Sequence, residues 1–515
     1  MAPPNPAPPV SAIVEFFNLE RVYVMLLVAV IAGCIRGRAP VRTYLGSPIL
    51  ALTAMILSYL IGWLLSLIFY VGVATLIGVA CGLYLAFALG LAGPAAAAAD
   101  PHKHHRGTLI KGWFTAWPAR RSPPDPSVLT LAGHPLPPND ETKHFKFLGT
   151  TGTGKSTAIR ELLAGALRRG DRAIIADPDG AYRARFFNES RGDLILNPFE
   201  DSSRKWDLFA EIRNPYDFDQ LARSLITDGV GEDRIWCRYA QIFLTALMRQ
   251  SYRSGLRESV GLFQLVISAS MDDLRNLLEG TPAQPFLVDG NDRMFGSIRS
   301  VTIAALAALS YVNDQQTQPL SIRQWIKEGR GVLFLPYTAA QIAALRTIVS
   351  TWMHLAIFET MTLPEGDAKL WFIIDELDSL GPIDGLKDAL PRIRKYGGRC
   401  VLGFQSIAQV GATYSHAGAD TIVENCGNTL ILRCSASEDG GTARFASKLI
   451  GEREIIRKNI SRSTAPNDFF ATKTVSEQHV IESAVLPSQI EQLPDLQGYL
   501  KFASTPHWVY TTLRQ

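Results

Sequence analysis

Residues 145–163 limit the folds open to this chain more than any other segment. They read FKFLGTTGTGKSTAIRELL, so an apolar segment, a glycine-rich loop and an amphipathic segment follow one another. Gly149, Gly154, Lys155 and Ser156 occupy the fixed positions of the pattern G-x-x-x-x-G-K-[ST], which requires a strand before the loop and a helix after it. A strand–loop–helix unit of this kind predicts a nucleoside triphosphate site in an α/β fold.

The residue types of this loop suit phosphate binding. Glycines let the loop curl so that backbone N–H groups converge on phosphate oxygens, and the positive end of the following helix adds to the same field. Lys155 supplies a point charge to the β- and γ-phosphates, and the Ser156 hydroxyl is a ligand for Mg²⁺. The residues predicted to bind ATP are Gly149, Thr150, Thr151, Gly152, Thr153, Gly154, Lys155, Ser156 and Thr157.

An acidic pair follows an apolar segment further along the chain. The sequence LWFIIDE occupies residues 370–376 and ends in Asp375 and Glu376. A carboxylate in this place can hold Mg²⁺ directly or through water, and its neighbour can orient or deprotonate the attacking water. Because acidic residues after apolar segments are common, the pair gains its meaning from the phosphate loop. We predict that Ser156 and Asp375 bind Mg²⁺ and that Lys155, Asp375 and Glu376 are catalytic.

Short apolar segments alternate with helical patterns after the phosphate loop. Short apolar runs without polar alternation indicate a parallel sheet that is covered on both faces. The fold class is therefore α/β, a RecA-like P-loop nucleotide-binding domain. The predicted strands after the loop are residues 173–176, 194–196, 332–335, 370–374, 400–404 and 429–432.

The spacing of the two site segments predicts an inserted domain. Lys155 and Asp375 are 220 positions apart, which is more than a minimal nucleotide-binding core needs. Residues 214–313 between them have a helical pattern, and Ser270 with Asp273 resembles a capping box. We therefore expect an all-α insertion at 214–313, with the nucleotide-binding domain at 141–213 and 314–515.

The N-terminal part of the chain predicts a membrane anchor. Residues 43–99 carry no charge, and as one helix they would measure roughly 85 Å against a hydrocarbon core of about 30 Å. We therefore expect two spans, at 49–70 and 73–91. Residues 22–35 are apolar too but short, so an anchor at 22–99 has two helices or three.

Basic residues on both sides of the paired spans predict the orientation of the anchor. The positive-inside rule places both basic segments, and with them the nucleotide-binding domain, in the cytoplasm. We expect a Pro-rich tail at residues 1–21 and a polar linker at 100–140. The basic segments contain Arg36, Arg38 and Arg42 before the spans and His102, Lys103, Arg106 and Lys111 after them.

Two polar features near the acidic pair complete the predicted site. Gln405 ends the predicted strand VLGFQ and can sense the γ-phosphate. Arg394 lies in the basic segment PRIRKYGGR and can stabilise transition-state charge across a subunit boundary, although a solvated helix face explains the same charges. Arg433 and Arg444 are further candidates for that role.

Composition adds limits of its own. The formal net charge of +3 gives no global basic signature, so contact with nucleic acid requires a local patch. The six cysteines include no C-x-x-C pair and no His at zinc spacing, which is typical of reduced thiols.

Taken together, the membrane spans, the phosphate loop, the helical insertion and the sequences WFIIDELDSL and RIRKYGGRCVLGFQSIAQV resemble the conjugative type IV secretion coupling proteins. The resemblance extends over essentially all 515 residues, and its most specific parts are 149–156, 375–380 and 395–410. It implies a homohexameric ring ATPase in the bacterial inner membrane, multi-pass, with ATP and Mg²⁺ at subunit interfaces. It also implies DNA bound with little sequence specificity, a relaxase or relaxosome and the secretion channel as partners, Gln405 as the motif glutamine and Arg394 as the finger.

One departure from that family concerns its partners. Some relatives carry a long acidic tail that docks the relaxosome, whereas this sequence stops at Gln515. We therefore expect partner recognition elsewhere, in the helical insertion.

Other functions fit parts of the same pattern. A coupling receptor for protein substrates alone needs the same nucleotide site, and DNA-stimulated ATP turnover distinguishes it from a DNA motor. Another membrane-anchored DNA translocase, of the chromosome-segregation kind, shares the motor but usually has a DNA-reading winged-helix tail, which the sequence lacks. The ATPase of an ABC exporter is disfavoured because no LSGGQ-like sequence occurs.

Overall fold

A computed structural model describes residues 18–36, 41–67, 71–97, 102–112, 128–229, 231–437, 440–463 and 472–514. The chain divides into two compact units, one of Met1–His104 with Ile455–Val480 and one of His105–Glu454 with Ile481–Gln515. Most of the expected Pro-rich tail, residues 1–17, lies outside the described residues.

The described residues form seventeen α-helices and seventeen β-strands. The helices are α1 Leu19–Arg36, α2 Val41–Ser66, α3 Val71–Ala97, α4 Lys155–Arg168, α5 Ala181–Phe186, α6 Asp217–Leu225, α7 Asp233–Arg253, α8 Ser259–Ser268, α9 Met271–Leu277, α10 Asp292–Asp314, α11 Ile322–Glu328, α12 Ile342–Thr360, α13 Leu386–Ile393, α14 Ile407–Tyr414, α15 His416–Asn425, α16 Gly441–Ile450 and α17 Pro487–Glu491. The strands are β1 His102–Gly107, β2 Ile110–Lys111, β3 Thr130–Leu131, β4 His134–Pro135, β5 Phe145–Leu148, β6 Arg172–Pro178, β7 Leu194–Ile195, β8 Lys205–Trp206, β9 Pro319–Leu320, β10 Val332–Tyr337, β11 Leu370–Ile374, β12 Gly398–Phe404, β13 Asn428–Ile431, β14 Glu452–Ser463, β15 Thr472–Ser483, β16 Gln497–Lys501 and β17 Trp508–Thr512.

The described part of the first unit contains three apolar helices, α1 to α3. The short apolar segment at 22–35 is part of α1. The span expected at 49–70 corresponds to α2, which begins earlier and ends earlier, at Ser66, whereas the span expected at 73–91 corresponds to α3, which is longer at both ends. Small residues let α2 and α3 approach closely, because Ser58 Oγ donates to the carbonyl of Gly78 at 2.8 Å and a Cβ on Gly82 would lie 2.7 Å from Ser58 Cβ. Close approach through small residues is the usual way in which apolar helices associate.

Two described helices are long and apolar enough to cross a membrane, Tyr44–Ser66 and Asp292–Asp314, and a shorter apolar helix covers Val73–Leu89. The segment Asp292–Asp314 is α10 of the second unit, where Phe295 and Leu306 are buried in the protein core. Its apolar character therefore reflects packing within the protein.

The second unit is built on a ten-stranded sheet with the order β2-β17-β16-β13-β5-β12-β11-β6-β10-β7. The seven strands from β13 to β7 are parallel, as predicted, because short apolar strands buried on both faces suit a parallel sheet. Beyond β13, strands β16 and β17 continue the sheet in antiparallel pairs, so the sheet is mixed. The carboxyl ends of the parallel strands share one edge.

Helices cover both faces of this sheet. On one face α4 packs through Ile159, Leu162 and Leu163, all fully buried. On the other face a single large core joins strand residues to the helices between 214 and 313, where the sequence predicted an all-α insertion. Strand residues Ile174, Leu333 and Phe372 belong to the same core as helix residues Phe243 and Phe295.

The helical region follows its predicted local signals. The α7 helix covers Asp233–Arg253 within the expected helical region, and Ser270 and Asp273 form the predicted capping box before α9. Thr351 of α12 donates to the carbonyl of Ser224 in α6 at 3.0 Å. This bond joins the helical region to α12.

The expected linker at 100–140 is the main difference from prediction. Residues 110–111 form an edge strand of the large sheet, paired with β17, and residues 128–140 pack into the core with Leu129 and Leu131 buried. Gly165 of α4 makes room for Leu129, whose Cδ2 lies 3.0 Å from the position of a Cβ on that glycine. The sequence did not reveal this packing, because the few apolar residues stand among prolines and polar residues. Residues 113–127 lie outside the described residues.

Candidate functional site at the carboxyl edge of the sheet

The phosphate loop connects β5 to α4 at the carboxyl edge of the sheet. Gly152 has φ +79° and Gly154 has φ +114°, and this left-handed region favours glycine. The amide of Gly149 donates to the carbonyl of Phe404 at 3.2 Å, which ties the start of the loop to the end of β12. The pattern of glycines in the sequence therefore follows from the backbone conformation.

Lys155 is the first residue of α4 and is buried beneath the loop. Its Nζ donates to the carbonyl of Gly149 at 2.6 Å and to that of Thr150 at 3.2 Å. Burial lowers the pKa of Lys155, and the nearby carboxylates of Asp375 and Glu376 counteract part of that effect. The ammonium group thus lies beneath the loop, where two backbone carbonyls accept from it.

Asp375 follows β11 directly and contacts the phosphate loop. Its Oδ2 accepts from the hydroxyl of Ser156 at 2.6 Å and from the hydroxyl of Tyr182 at 2.8 Å. The other oxygen, Oδ1, is buried and has no hydrogen-bond partner among the residues that the structure describes. A buried carboxylate oxygen without a partner is unfavourable in an empty protein but is a natural ligand for a divalent cation or its bound water.

Glu376 and Gln405 form a second pair beside Asp375. The amide nitrogen of Gln405 donates to Glu376 Oε1, and the hydroxyl of Thr151 donates to Gln405 Oε1 at 3.2 Å. Burial raises the pKa of Glu376, and the charges of Asp375 and Asp378 raise it further. Gln405 therefore connects the phosphate loop to a carboxylate whose basicity is increased.

Two residues of this site were not predicted from the sequence. Tyr182 lies in α5, after β6, and Asp177 at the end of β6 accepts from the amides of Tyr182 and Arg183 at 2.9 and 2.7 Å. Burial raises the pKa of Asp177 to about 6, although the two amides oppose the shift. The signal in the sequence was the segment DPDG after an apolar strand, which resembles the acidic pair after β11.

Arg394 is not brought to the site of its own chain. It lies between α13 and β12, before the strand begins, whereas Asp375 and Gln405 follow the carboxyl ends of their strands. Its side chain is exposed. The seven-residue strand β12 separates the two edges by about 20 Å.

The other two arginine candidates differ in position. Arg433 follows β13, and its carbonyl accepts from the amide of Thr150 at 2.9 Å, while its guanidinium pairs with Asp495 at 2.6 Å. Arg444 is exposed in the first turn of α16. Arg433 thus supports the phosphate loop through its backbone.

The residues present suit a magnesium–nucleotide complex. Loop amides and Lys155 offer positive charge to phosphates, while the Ser156 hydroxyl and the free oxygen of Asp375 offer the oxygen ligands that Mg²⁺ prefers. The strand–loop–helix unit and the carboxylates at the ends of neighbouring parallel strands define a RecA-like P-loop nucleotide-binding fold.

Comparison with known proteins identifies the family. The family described as the type IV secretion-system coupling protein DNA-binding domain matches residues 128–512. The chain therefore belongs to the type IV secretion-system coupling proteins. It is 30% identical over 385 residues to the coupling protein TraD of Escherichia coli K12, an alignment covering 73% of this chain and 53% of TraD.

Solved structures of a related protein show the same fold. The bacterial conjugative coupling protein TrwBdeltaN70 in its unbound monoclinic form has a TM-score of 0.72 and 31% identity, covering 81% of this chain and 95% of that one. The TrwB structure with ADP and Mg²⁺ has a TM-score of 0.70 at the same identity, covering 81% and 96%. The chain spans about half the length of the relative TraD.

Proposed function

We propose that this chain is the ATP-hydrolysing coupling protein of a conjugative type IV secretion system in the bacterial inner membrane. It recruits a relaxase–DNA complex and drives DNA transfer by ATP hydrolysis. The observation that carries the proposal is the carboxylate of Asp375, bonded through one oxygen to the phosphate loop and unpartnered at the other among the described residues. The related TrwB binds ADP and Mg²⁺ in one of its structures.

Phosphate and metal binding fall to residues around α4. Residues 149–157 surround the phosphates, Lys155 places its charge at the β- and γ-phosphates, and the positive N-terminal end of α4 adds to the same field. Ser156 and Asp375 hold Mg²⁺, which when bound neutralises charge on the phosphate oxygens. The Ser156 hydroxyl can donate to Asp375 and still offer a lone pair to the metal.

Glu376 and Gln405 act on the attacking water. The raised pKa of Glu376 brings its basicity closer to what a general base needs near neutral pH. Gln405 holds this carboxylate while bonded to Thr151 of the phosphate loop. A phosphate bound in the loop therefore competes with Gln405 for the Thr151 hydroxyl. Gln405 then holds Glu376 less firmly, so that this carboxylate can accept a proton when nucleotide is bound.

Arg394 acts on the site of a neighbouring subunit. Its position at the amino edge of the sheet excludes contact with the nucleotide of its own chain, while its exposure leaves the guanidinium accessible to a second copy. An arginine supplied by a neighbour stabilises charge in the transition state. This role requires an assembly, and a homohexameric ring with DNA in a central channel satisfies it.

The three apolar helices of the first unit anchor the protein. α2 and α3 each have the length of a span, and α1 with 18 residues would add a third, so the anchor has two spans or three. The positive-inside rule then places the basic residues after α3 and the nucleotide-binding domain in the cytoplasm. The nucleotide-binding domain comprises 141–213 and 314–515, and the all-α insertion 214–313 recruits partners.

The test is ATP hydrolysis by the full chain in detergent, with and without single- and double-stranded DNA, at two salt concentrations. We expect stimulation by DNA that declines as salt rises, because phosphate contacts release counterions. The Lys155→Ala variant sets the background. Hydrolysis that no DNA stimulates, in protein shown to bind ATP, would contradict a DNA motor and favour a receptor for protein substrates.

A further inference from the structure

Tyr182 is buried beside the phosphate loop, where neither the motif pattern nor the proposed roles assign it a task. Its side chain is 1% exposed, and its hydroxyl donates to Asp375 Oδ2 at 2.8 Å. The ring is held in place on two sides. The guanidinium of Arg160, one turn after Ser156 in α4, lies 5.7 Å from the ring centroid, and Asp177 caps the short helix that carries Tyr182.

The bond from Tyr182 determines how Asp375 presents its oxygens. The terminal torsion of an aspartate is broad, so a single hydrogen bond from Ser156 leaves the carboxylate plane free to turn. A second hydroxyl on the same oxygen fixes that plane, since both donors converge on Oδ2 at 2.6 and 2.8 Å. Oδ1 is then the oxygen left for a ligand.

We infer that Tyr182 is a positioning residue for the metal site: by bonding Asp375 Oδ2 together with Ser156, it turns Oδ1 toward the divalent cation. The inference rests on the proposed Mg²⁺ site of Ser156 and Asp375. A hydroxyl that fixes a ligating carboxylate changes metal affinity, while the nucleotide's contacts with the loop amides and Lys155 stay as they are. Loss of the Tyr182 hydroxyl is therefore expected to weaken metal binding without changing phosphate binding.

The experiment titrates Mn²⁺ into the ADP complex of the full chain in detergent and follows free Mn²⁺ by electron paramagnetic resonance. For Tyr182→Phe we expect Mn²⁺ affinity to fall roughly tenfold, with ADP affinity in EDTA changed by less than about twofold. Tyr414→Phe is the control, because that tyrosine is half-buried and its hydroxyl also makes two hydrogen bonds, donating to the carbonyl of Gly381 and accepting from the amide of Ile383. Its Mn²⁺ affinity is expected to stay within about twofold of the wild type.

A double-mutant cycle shows whether Tyr182 acts through Asp375. In the Asp375→Asn background, Tyr182→Phe is expected to leave the residual Mn²⁺ affinity unchanged, because the group it positions is gone. Equal loss in both backgrounds would overturn the inference.

The outcomes separate this inference from the proposed function. Mn²⁺ affinity within about twofold of the wild type in folded Tyr182→Phe would leave the tyrosine a packing role only. If that variant does not fold, Tyr182→Met, which fills the space with a flexible apolar side chain, carries the same expectation and the same contrary result. A wild-type ADP complex that binds no Mn²⁺ would overturn the metal site itself, and the inference with it.

Discussion

Glu211 and Asp375 are both buried carboxylates, and their surroundings differ in one respect. Glu211 is fully buried and accepts four hydrogen bonds, from Trp206 Nε1 at 3.0 Å, the Ser321 hydroxyl at 3.1 Å and the amides of Ile322 and Arg323 at 2.6 and 3.0 Å. Both of its oxygens are occupied. Asp375 has two donors on one oxygen and none on the other among the described residues.

The difference separates a structural carboxylate from a ligand. Leaving a buried acceptor without a donor costs about 1–3 kcal/mol, and a cation or its bound water at Asp375 Oδ1 would remove that cost. Glu211 caps α11 and joins it to the segment that enters the helical insertion. The same chemical group, a carboxylate, thus supports the fold at one place and is proposed to bind a metal ion at the other.

Lys155→Ala is expected to have the largest effect, and it tests the proposed nucleotide site that contains Asp375. We expect ATP turnover to fall by at least about 10²-fold, because the charge at the phosphates is lost, with the melting temperature within about 3 °C of the wild type. Colorimetric phosphate release and a thermal melt check the two parts. Lys369→Ala, an exposed lysine before β11, is the control. Normal turnover in the Lys155 variant would remove the site assignment.

Arg394 extends the comparison to a charged group at the edge of the sheet opposite Asp375, out of reach of the nucleotide site in its own chain. In mixed assemblies of wild-type and Arg394→Ala chains, we expect the turnover of each wild-type chain to fall at least about tenfold at high variant fraction, since the finger comes from a neighbour. Turnover is measured against the mixing ratio. Arg392→Ala, an exposed neighbour in α13, is the matched control. Turnover proportional to the wild-type fraction would speak against action in trans.

Replacing each carboxylate by its amide breaks the comparison directly. Glu211→Gln is expected to cost about 2–4 kcal/mol of unfolding free energy, because an amide NH₂ then faces donors in the core. Asp375→Asn is expected to change stability by less than about 1 kcal/mol, because its amide NH₂ can occupy the place of the unpartnered oxygen. Urea unfolding of the two variants measures both values. Equal costs would show that pairing does not distinguish the two carboxylates.

The smallest expected effect concerns His144, a buried histidine whose two ring nitrogens are both hydrogen-bonded. Its Nε2–H donates to the carbonyl of Leu390 at 2.7 Å, its Nδ1 accepts from the amide of Cys400 at 3.1 Å, and burial lowers its pKa to about 4. Below about pH 6.5 the His144 imidazole is protonated in the unfolded state, whereas in the folded state it stays neutral until about pH 4. Stability therefore decreases as the pH is lowered across that window, by on the order of 1–2 kcal/mol at pH 5.

Urea unfolding at pH 7 and pH 5 checks this expectation. The His144→Gln variant has no titrating group at this position, so its loss of stability between the two pH values is expected to be smaller than that of the wild type. An equal loss in both proteins would assign the pH dependence to other groups.

The parallel sheet and the phosphate loop were predictable because their chemistry fixes local patterns. Buried parallel strands need short apolar runs, and the turn under a phosphate needs glycine at Gly152 and Gly154. Asp375 and Gln405 could be found for the same reason, since both follow apolar strands. The positions of these residues depend on strand ends that the sequence marks.

Features that depend on tertiary approach could not be predicted. Tyr182 reaches Asp375 across 193 positions, and nothing local marks that contact. Strands β14 and β15 have few apolar runs, and the β2 strand is a two-residue addition to an edge. Residues 128–140 looked like a linker because only a few of them, such as Leu129 and Leu131, carry the packing.

The most direct test of the central claim compares magnesium-dependent nucleotide binding in the wild type and in Asp375→Asn. Isothermal titration of a non-hydrolysable ATP analogue into each full-length protein, with Mg²⁺ and with EDTA, gives the four affinities needed. We expect Mg²⁺ to tighten binding at least about tenfold in the wild type and less than about threefold in the variant. Equal tightening in both proteins would contradict the claim that the unpartnered oxygen of Asp375 is there for a metal ion.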